Sequence, residues 1–129
     1  MFNFFNKKSE DKKMGYNSYA DFFYTKTADL LNEIIKDIVR RKPEWIGILL
    51  NIQSIAENML DDYDRGLMTM IVNQQTRVNE MFLLVADILE LDENYQAPAF
   101  VELRAFLYRT DAIFNKRSIT SPYKDGACR

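Results

Sequence analysis

Residues 71–88 read Ile-Val-Asn-Gln-Gln-Thr-Arg-Val-Asn-Glu-Met-Phe-Leu-Leu-Val-Ala-Asp-Ile. Ile71, Gln74, Val78, Met81, Val85 and Ile88 recur at alternating intervals of three and four. That interval keeps them on one side of an α-helix, whereas a strand would alternate every second residue. Leu67, Phe82, Leu84 and Leu89 flank this heptad seam. Gln74 is its one polar member, and it is expected to be a core amide hydrogen-bonded to Thr27 or Thr110.

The same reading extends in both directions. Upstream, Asp61, Asp62, Asp64 and Gly66 mark a boundary. Carboxylates are unfavourable at a helix C-terminus and favourable at an N-cap. The second helix is therefore expected to end near Asp62 and the third to begin between Asp64 and Gly66, with one continuous bent helix through this point as the alternative. The second helix opens at Pro43-Glu44, where a proline fits the first turn. Its stripe is Trp45, Ile48, Ile52, Ile55, Met59 and Tyr63. The first helix is expected from about Asn17 to Arg41, with Phe23, Thr27, Leu30, Ile34 and Ile38 inward and Arg40, Arg41 and Lys42 at its negative end. Downstream, a loop over residues 92–98 leads to a fourth helix carrying Phe100, Leu103, Leu107, Thr110 and Phe114, fading at Lys116-Arg117-Ser118.

Helices of this length joined by short loops pack as neighbours. The expected fold is all-α, an antiparallel up-down four-helix bundle over residues 17–117. An aromatic and basic N-terminal arm (1–16) and a C-terminal tail (118–129) flank it as flexible segments. A pair of helical hairpins that completes its core in a dimer is the second arrangement. Trp45, Ile52, Ile71, Val78 and Val85 are expected to be buried.

Composition agrees with one globular domain. The chain has 129 residues, 47% apolar and 28% charged, with four Gly and three Pro, too few breakers for a fold rich in strands and turns. Its single thiol, Cys128, cannot form an internal disulfide, and Cys128-Arg129 is not a prenylation signal. No apolar run approaches the roughly 18 residues that span a bilayer. A cytoplasmic location is expected, with peripheral membrane contact through the arm as the variant.

The net charge of −2 conceals a gradient: +2 over residues 1–50, −7 over 51–95 and +3 over 96–129. A strongly acidic middle argues against a nucleic-acid-coating protein, which needs clustered cations. It suits complementarity between subunits or with a partner.

The chain contains no histidine. Ser–His and Cys–His nucleophile pairs are therefore excluded within one chain, as are Arg-x4-6-His ribonuclease motifs and Glu-x-x-His di-iron sites. Carboxylate-only magnesium sites survive, as in all-α nucleotide phosphohydrolases. The nearest pairs are Asp61 with Asp64 and Asp87 with Glu90. Asp64 and Asp87, taken as one helix, would lie roughly 34 Å apart. Asp29, Glu33 and Asp37 line one helix face beside Lys26, Lys36 and Arg40, as a solvated, salt-bridged face would. No enzyme activity, cofactor or metal is expected.

Two segments are candidates for partner binding. Phe2, Phe4 and Phe5 beside Lys7 and Lys8 suit a partner's groove or an anionic membrane surface. Arg104, Arg109, Lys116 and Arg117 form a basic run suited to an acidic partner or to the acidic middle of another copy.

Glu93-Asn94-Tyr95, then Phe100, Leu103, Leu107 and Thr110-Asp111, with Arg40-Arg41 before an apolar helix, resemble the LemA family of bacterial helical-bundle proteins. The resemblance covers about half the chain. It implies a long-helix bundle, a link to membranes and no known catalytic residues. Members usually begin with a membrane-spanning helix, which this sequence lacks, and the loop between Tyr95 and Phe100 is shorter here. The expected function is non-catalytic: an adaptor, inhibitor or immunity-type neutraliser that binds another protein, or a homo-oligomer. A LemA-like membrane scaffold and a magnesium-dependent phosphohydrolase are the alternatives.

Overall fold

The computed structural model describes residues 19–119, with side chains through residue 113. Four helices make up the described residues: α1 (Tyr19–Ile38), α2 (Ile46–Arg65), α3 (Leu67–Leu91) and α4 (Pro98–Ile119), with a 3-10 turn at Pro43–Trp45. No strand occurs among them. None of these helices is long and apolar enough to cross a membrane.

α2 and α4 each pack on α1 and α3, and α1 and α3 also pack on each other. The Phe22 and Phe23 rings meet Phe106, and Lys26 pairs with Glu102, which joins α1 to α4. Tyr24 bonds Asp62 across α1 and α2. Asn51 donates to Asp87 between α2 and α3. Gln75 donates to Asp111 at 3.2 Å, and Phe82 lies 5.3 Å from Tyr108, joining α3 to α4. The core between them holds Phe23, Leu31, Ile34, Ile52, Met59, Val78, Met81, Leu84, Ile88, Phe100, Leu103 and Leu107.

Several boundaries differ from expectation. α1 stops at Ile38, three residues before Arg41. Lys42 precedes Pro43 and is extended (φ −64°, ψ 161°), because a proline disfavours helical backbone at the residue before it. Pro43–Trp45 then forms a 3-10 turn, so α2 begins three residues later than Pro43. α2 continues through Asp62 and Asp64 to Arg65. Asp62 is buried and bonded to Arg77 of α3, so its charge is not left facing the helix's own terminal carbonyls. Arg65 supplies the favourable cation in the last turn and pairs with Asp61 at 3.0 Å. Gly66 then turns the chain with φ 112°. Its N–H is shared between the Asp62 and Tyr63 carbonyls. α4 runs to Ile119, so residues 118–119 are helical rather than tail. Asn17 and Ser18, the expected caps of α1, lie outside the described residues.

Two core expectations fail. Ile71 is 49% exposed, and Met70 takes the inner place. Gln74 is buried, but its Nε2 has no hydrogen-bond partner among the described residues. Thr27 donates instead to the Phe23 carbonyl of its own helix at 2.8 Å, and Thr110 Oγ1 is likewise unpartnered. Helical threonines reach back to their own preceding turn more readily than across a bundle.

Trp45, Ile52, Val78 and Val85 are buried as expected. Ile52 has no solvent exposure, so Ile52→Ala should lower unfolding free energy by about 2–5 kcal/mol in urea titration. A change within error would mean that the site collapses around the smaller side chain.

Candidate interaction surface

α3 is apolar on two opposite sides. Its inner side carries Met70, Val78, Met81, Leu84 and Ile88. Its outer side carries Met68, Val72 and Leu83, which are 70%, 69% and 67% exposed. Thr76, Asn79 and Ala86 are the exposed positions in the same helical row. No charge interrupts this row from Met68 to Ala86. Ile46 and Leu50 are exposed at the start of the adjacent α2. Asp87 and Glu90 of α3 and Glu57, Asp61 and Asp64 of α2 are exposed as well. The result is an uncharged row, apolar at Met68 and Val72 and again at Leu83 and Ala86 with Thr76 and Asn79 between, on helices whose exposed charges are mostly acidic. Large apolar patches with polar borders are features of interaction sites.

Beneath this strip is a buried polar network. Asp62 Oδ2 accepts from Tyr24 OH and from Arg77 Nε, both at 2.7 Å. Asp62 Oδ1 accepts from Asn73 Nδ2 at 2.9 Å and from Arg77 Nη2 at 3.3 Å. Arg77 Nη1 donates to both Glu80 oxygens at 3.0 Å. Burial pushes the Asp62 carboxyl up, but the bonds from Arg77, Tyr24 and Asn73 outweigh it and hold it below the usual range. Burial and the Asp62 carboxylate push the Tyr24 phenol well up, so it remains a donor. The hydrogen bond to Asp62 pushes Arg77 up, so it stays charged. This fully bonded carboxylate locks α1, α2 and α3 together and has no lone pair free for chemistry.

A second cluster closes the end of the bundle near the α1–α2 bend. The Arg41 guanidinium lies 5.1 Å from the Trp45 ring and 4.8 Å from the Tyr95 ring. Asp37 accepts from Arg41 at 3.3 Å and from Tyr95 OH at 2.5 Å. A shallow cleft of about 410 Å³ opens beside it, with Arg40, Lys42, Glu44 and Asp92 in its walls. Three cations, Arg40, Arg41 and Lys42, and two carboxylates, Glu44 and Asp92, line it, so the cleft presents no field of one sign.

The expected basic run is not gathered into one patch. Arg104 is half-buried with its guanidinium 5.7 Å from the Phe100 ring, whereas Arg109 is exposed and 5.8 Å from Phe106. Five helical positions turn the two side chains roughly 140° apart. Lys116 and Arg117 lie on the α4 backbone, with side chains outside the description. Phe2, Phe4, Phe5, Lys7 and Lys8 are outside the described residues altogether. The carboxylate pairs do not converge either. Asp61 is taken by Arg65, and Asp64 belongs to α2 rather than α3. Among the described residues no group of three His, Cys, Asp or Glu could hold a metal ion. On α1, Glu33 pairs with Lys36, and Lys26 reaches across to α4.

No family model, no curated protein and no solved structure matches this chain. The positions that carry the LemA resemblance divide: Arg40, Arg41, Glu93 and Asn94 are exposed and Asp111 is half-buried. The other five, Tyr95, Phe100, Leu103, Leu107 and Thr110, are buried.

Proposed function

We propose that this protein is a non-catalytic helical bundle that acts by binding another protein, as an adaptor, inhibitor or immunity-type neutraliser. The contacts support an up-down-up-down order. Residue numbers rise along one helix as they fall along its neighbour: 26 with 102 and 22 with 106, 51 with 87 and 62 with 73, and 75 with 111 and 82 with 108.

The observation that carries the reading is the exposure of Met68, Val72 and Leu83 on the outer row of α3. Leaving such side chains in water forgoes the roughly 1.5–3 kcal/mol that burying each would contribute. A partner with an apolar centre would bury them, and basic groups beside that centre would suit the exposed carboxylates Asp87 and Glu90 of the same helix.

Affinity capture followed by mass spectrometry tests this. The intact protein should recover a partner that a Met68→Glu, Val72→Glu variant of unchanged helicity does not. Equal recovery by the two would overturn the reading. Retention on anionic vesicles that requires residues 1–13 and fades with salt would instead favour the membrane-scaffold reading.

A further inference from the structure

α4 has an outer row of its own. Val101, Ala105, Tyr108 and Ala112 are all exposed, and none is charged. Tyr108 is 62% exposed, although its ring edge also meets Phe82 of α3. Beside this row, on the side facing α3, stand two half-buried charges seven residues apart, Arg104 and Asp111. Seven residues are two helical turns, or roughly 10.5 Å, so the two lie on one line along the helix.

Their situations differ. Asp111 accepts from Gln75. Arg104 has no ion pair among the described residues, its Nε is buried without a hydrogen-bond partner, and its guanidinium rests on the Phe100 ring. A half-buried cation without a counter-charge among the described residues is favoured by any carboxylate brought against it, and Asp111 on the same line of a second copy is such a group.

We infer that this face of α4 is a two-fold interface between copies of the chain. In an isologous contact, residue i meets residue j and residue j meets residue i. Laying α4 antiparallel on α4 of a second copy, with the axis near Leu107 and Tyr108, sets Arg104 of each copy opposite Asp111 of the other. The two Tyr108 rings meet at the centre, and Ala105 and Ala112 let the helices approach. The rest of the row is uncharged, as homodimer interfaces are depleted of charge and enriched in aromatic residues. A net charge of −2 gives little repulsion between copies. The outer row of α3 lies on the neighbouring helix and adjoins this face at Asn79, which accepts from Gln75, the donor to Asp111.

Sedimentation equilibrium of the full chain tests the dimer, with circular dichroism confirming helicity of each variant. The intact protein should be dimeric. Tyr108→Glu should weaken association by roughly tenfold or more, about 1.4 kcal/mol per tenfold. Ala105→Arg, on the same exposed row, should do the same and serves as the second variant. Arg104→Asp and Asp111→Arg should each weaken it, and the double reversal should restore it to within about threefold. A monomer up to about 1 mM would overturn the inference. So would a dimer indifferent to both Tyr108→Glu and Ala105→Arg, or a double reversal no stronger than the single ones. A monomeric result would leave the α3 surface and its capture experiment unaffected.

Discussion

Replacing Asp62 with alanine is expected to destabilise the protein by about 3–5 kcal/mol, measured by urea unfolding at neutral pH. The carboxylate is 2% exposed and accepts from three side chains on two other helices. Removing it leaves the Arg77 guanidinium, 9% exposed, with only Glu80 to balance it, and leaves the Tyr24 hydroxyl without its acceptor. Replacing both ionic partners, Asp62→Leu with Arg77→Met, should cost less than Asp62→Ala alone, because the one charge left without its partner, Glu80, is 30% exposed and reaches water. A larger loss for the double variant would mean that the network contributes net stability as an ion pair. The network also fixes a pH dependence. The folded-state pKa of Asp62 is depressed, so its contribution is present above the ordinary value of 3.8 and is lost as pH falls through the lower folded value. The advantage of the natural protein over Asp62→Asn should therefore shrink below about pH 3.8.

Phe100→Ala is expected to cost about 3–5 kcal/mol, read as a lowered midpoint in chemical or thermal unfolding. Phe100 has no solvent exposure and holds the first turn of α4 to the core. Its ring lies 4.9 Å from Tyr95 at a steep angle, and Tyr95 in turn meets Trp45 at 5.4 Å and bonds Asp37. One aromatic chain thus ties the α3–α4 loop, the α1–α2 bend and the end of α1. Removing the ring deletes its own buried area and loosens the packing of Tyr95. A loss below about 1 kcal/mol would show that this end of the bundle closes around the cavity.

Much of this arrangement is legible in the residues alone. Four helical stripes, the break at Gly66 and the start at Pro98 all follow from periodicity and turn chemistry. The register of α3 is ambiguous by that route. Residues 71, 74, 78, 81, 85 and 88 make one heptad series, and 70, 74, 77, 81, 84 and 88 make another. An α-helix drifts about 20° per heptad, so a long helix can bury members of both. Met70 wins over Ile71, while Val78 and Val85 are buried beside Arg77 and Leu84.

The Asp62 network escapes a local reading because its partners lie 38, 15 and 11 residues away. A signal was nevertheless present. Asp62 falls three residues after Met59 and seven after Ile55, on the inner stripe of its helix. Arg77 falls seven before Leu84, on the inner stripe of the next. Opposite charges on the facing stripes of consecutive helices announce a buried pair. The outer rows of α3 and α4 are hidden for a different reason. One apolar stripe is enough to place a helix in a bundle, so a second stripe leaves the predicted fold unchanged.

The turn at Gly66 carries a consequence of handedness. Its φ of 112° and ψ of 172° belong to the part of the backbone map that a side chain on an L-residue forbids. A Cβ built there meets nothing within 4 Å, so the obstacle is the backbone torsion and not crowding. The mirror image of that torsion pair lies in the extended region, which every ordinary residue adopts. A D-amino acid would therefore sit at this junction without strain and would restrict the unfolded chain. The corner between α2 and α3 is thus a position that excludes alanine by chirality and not by size.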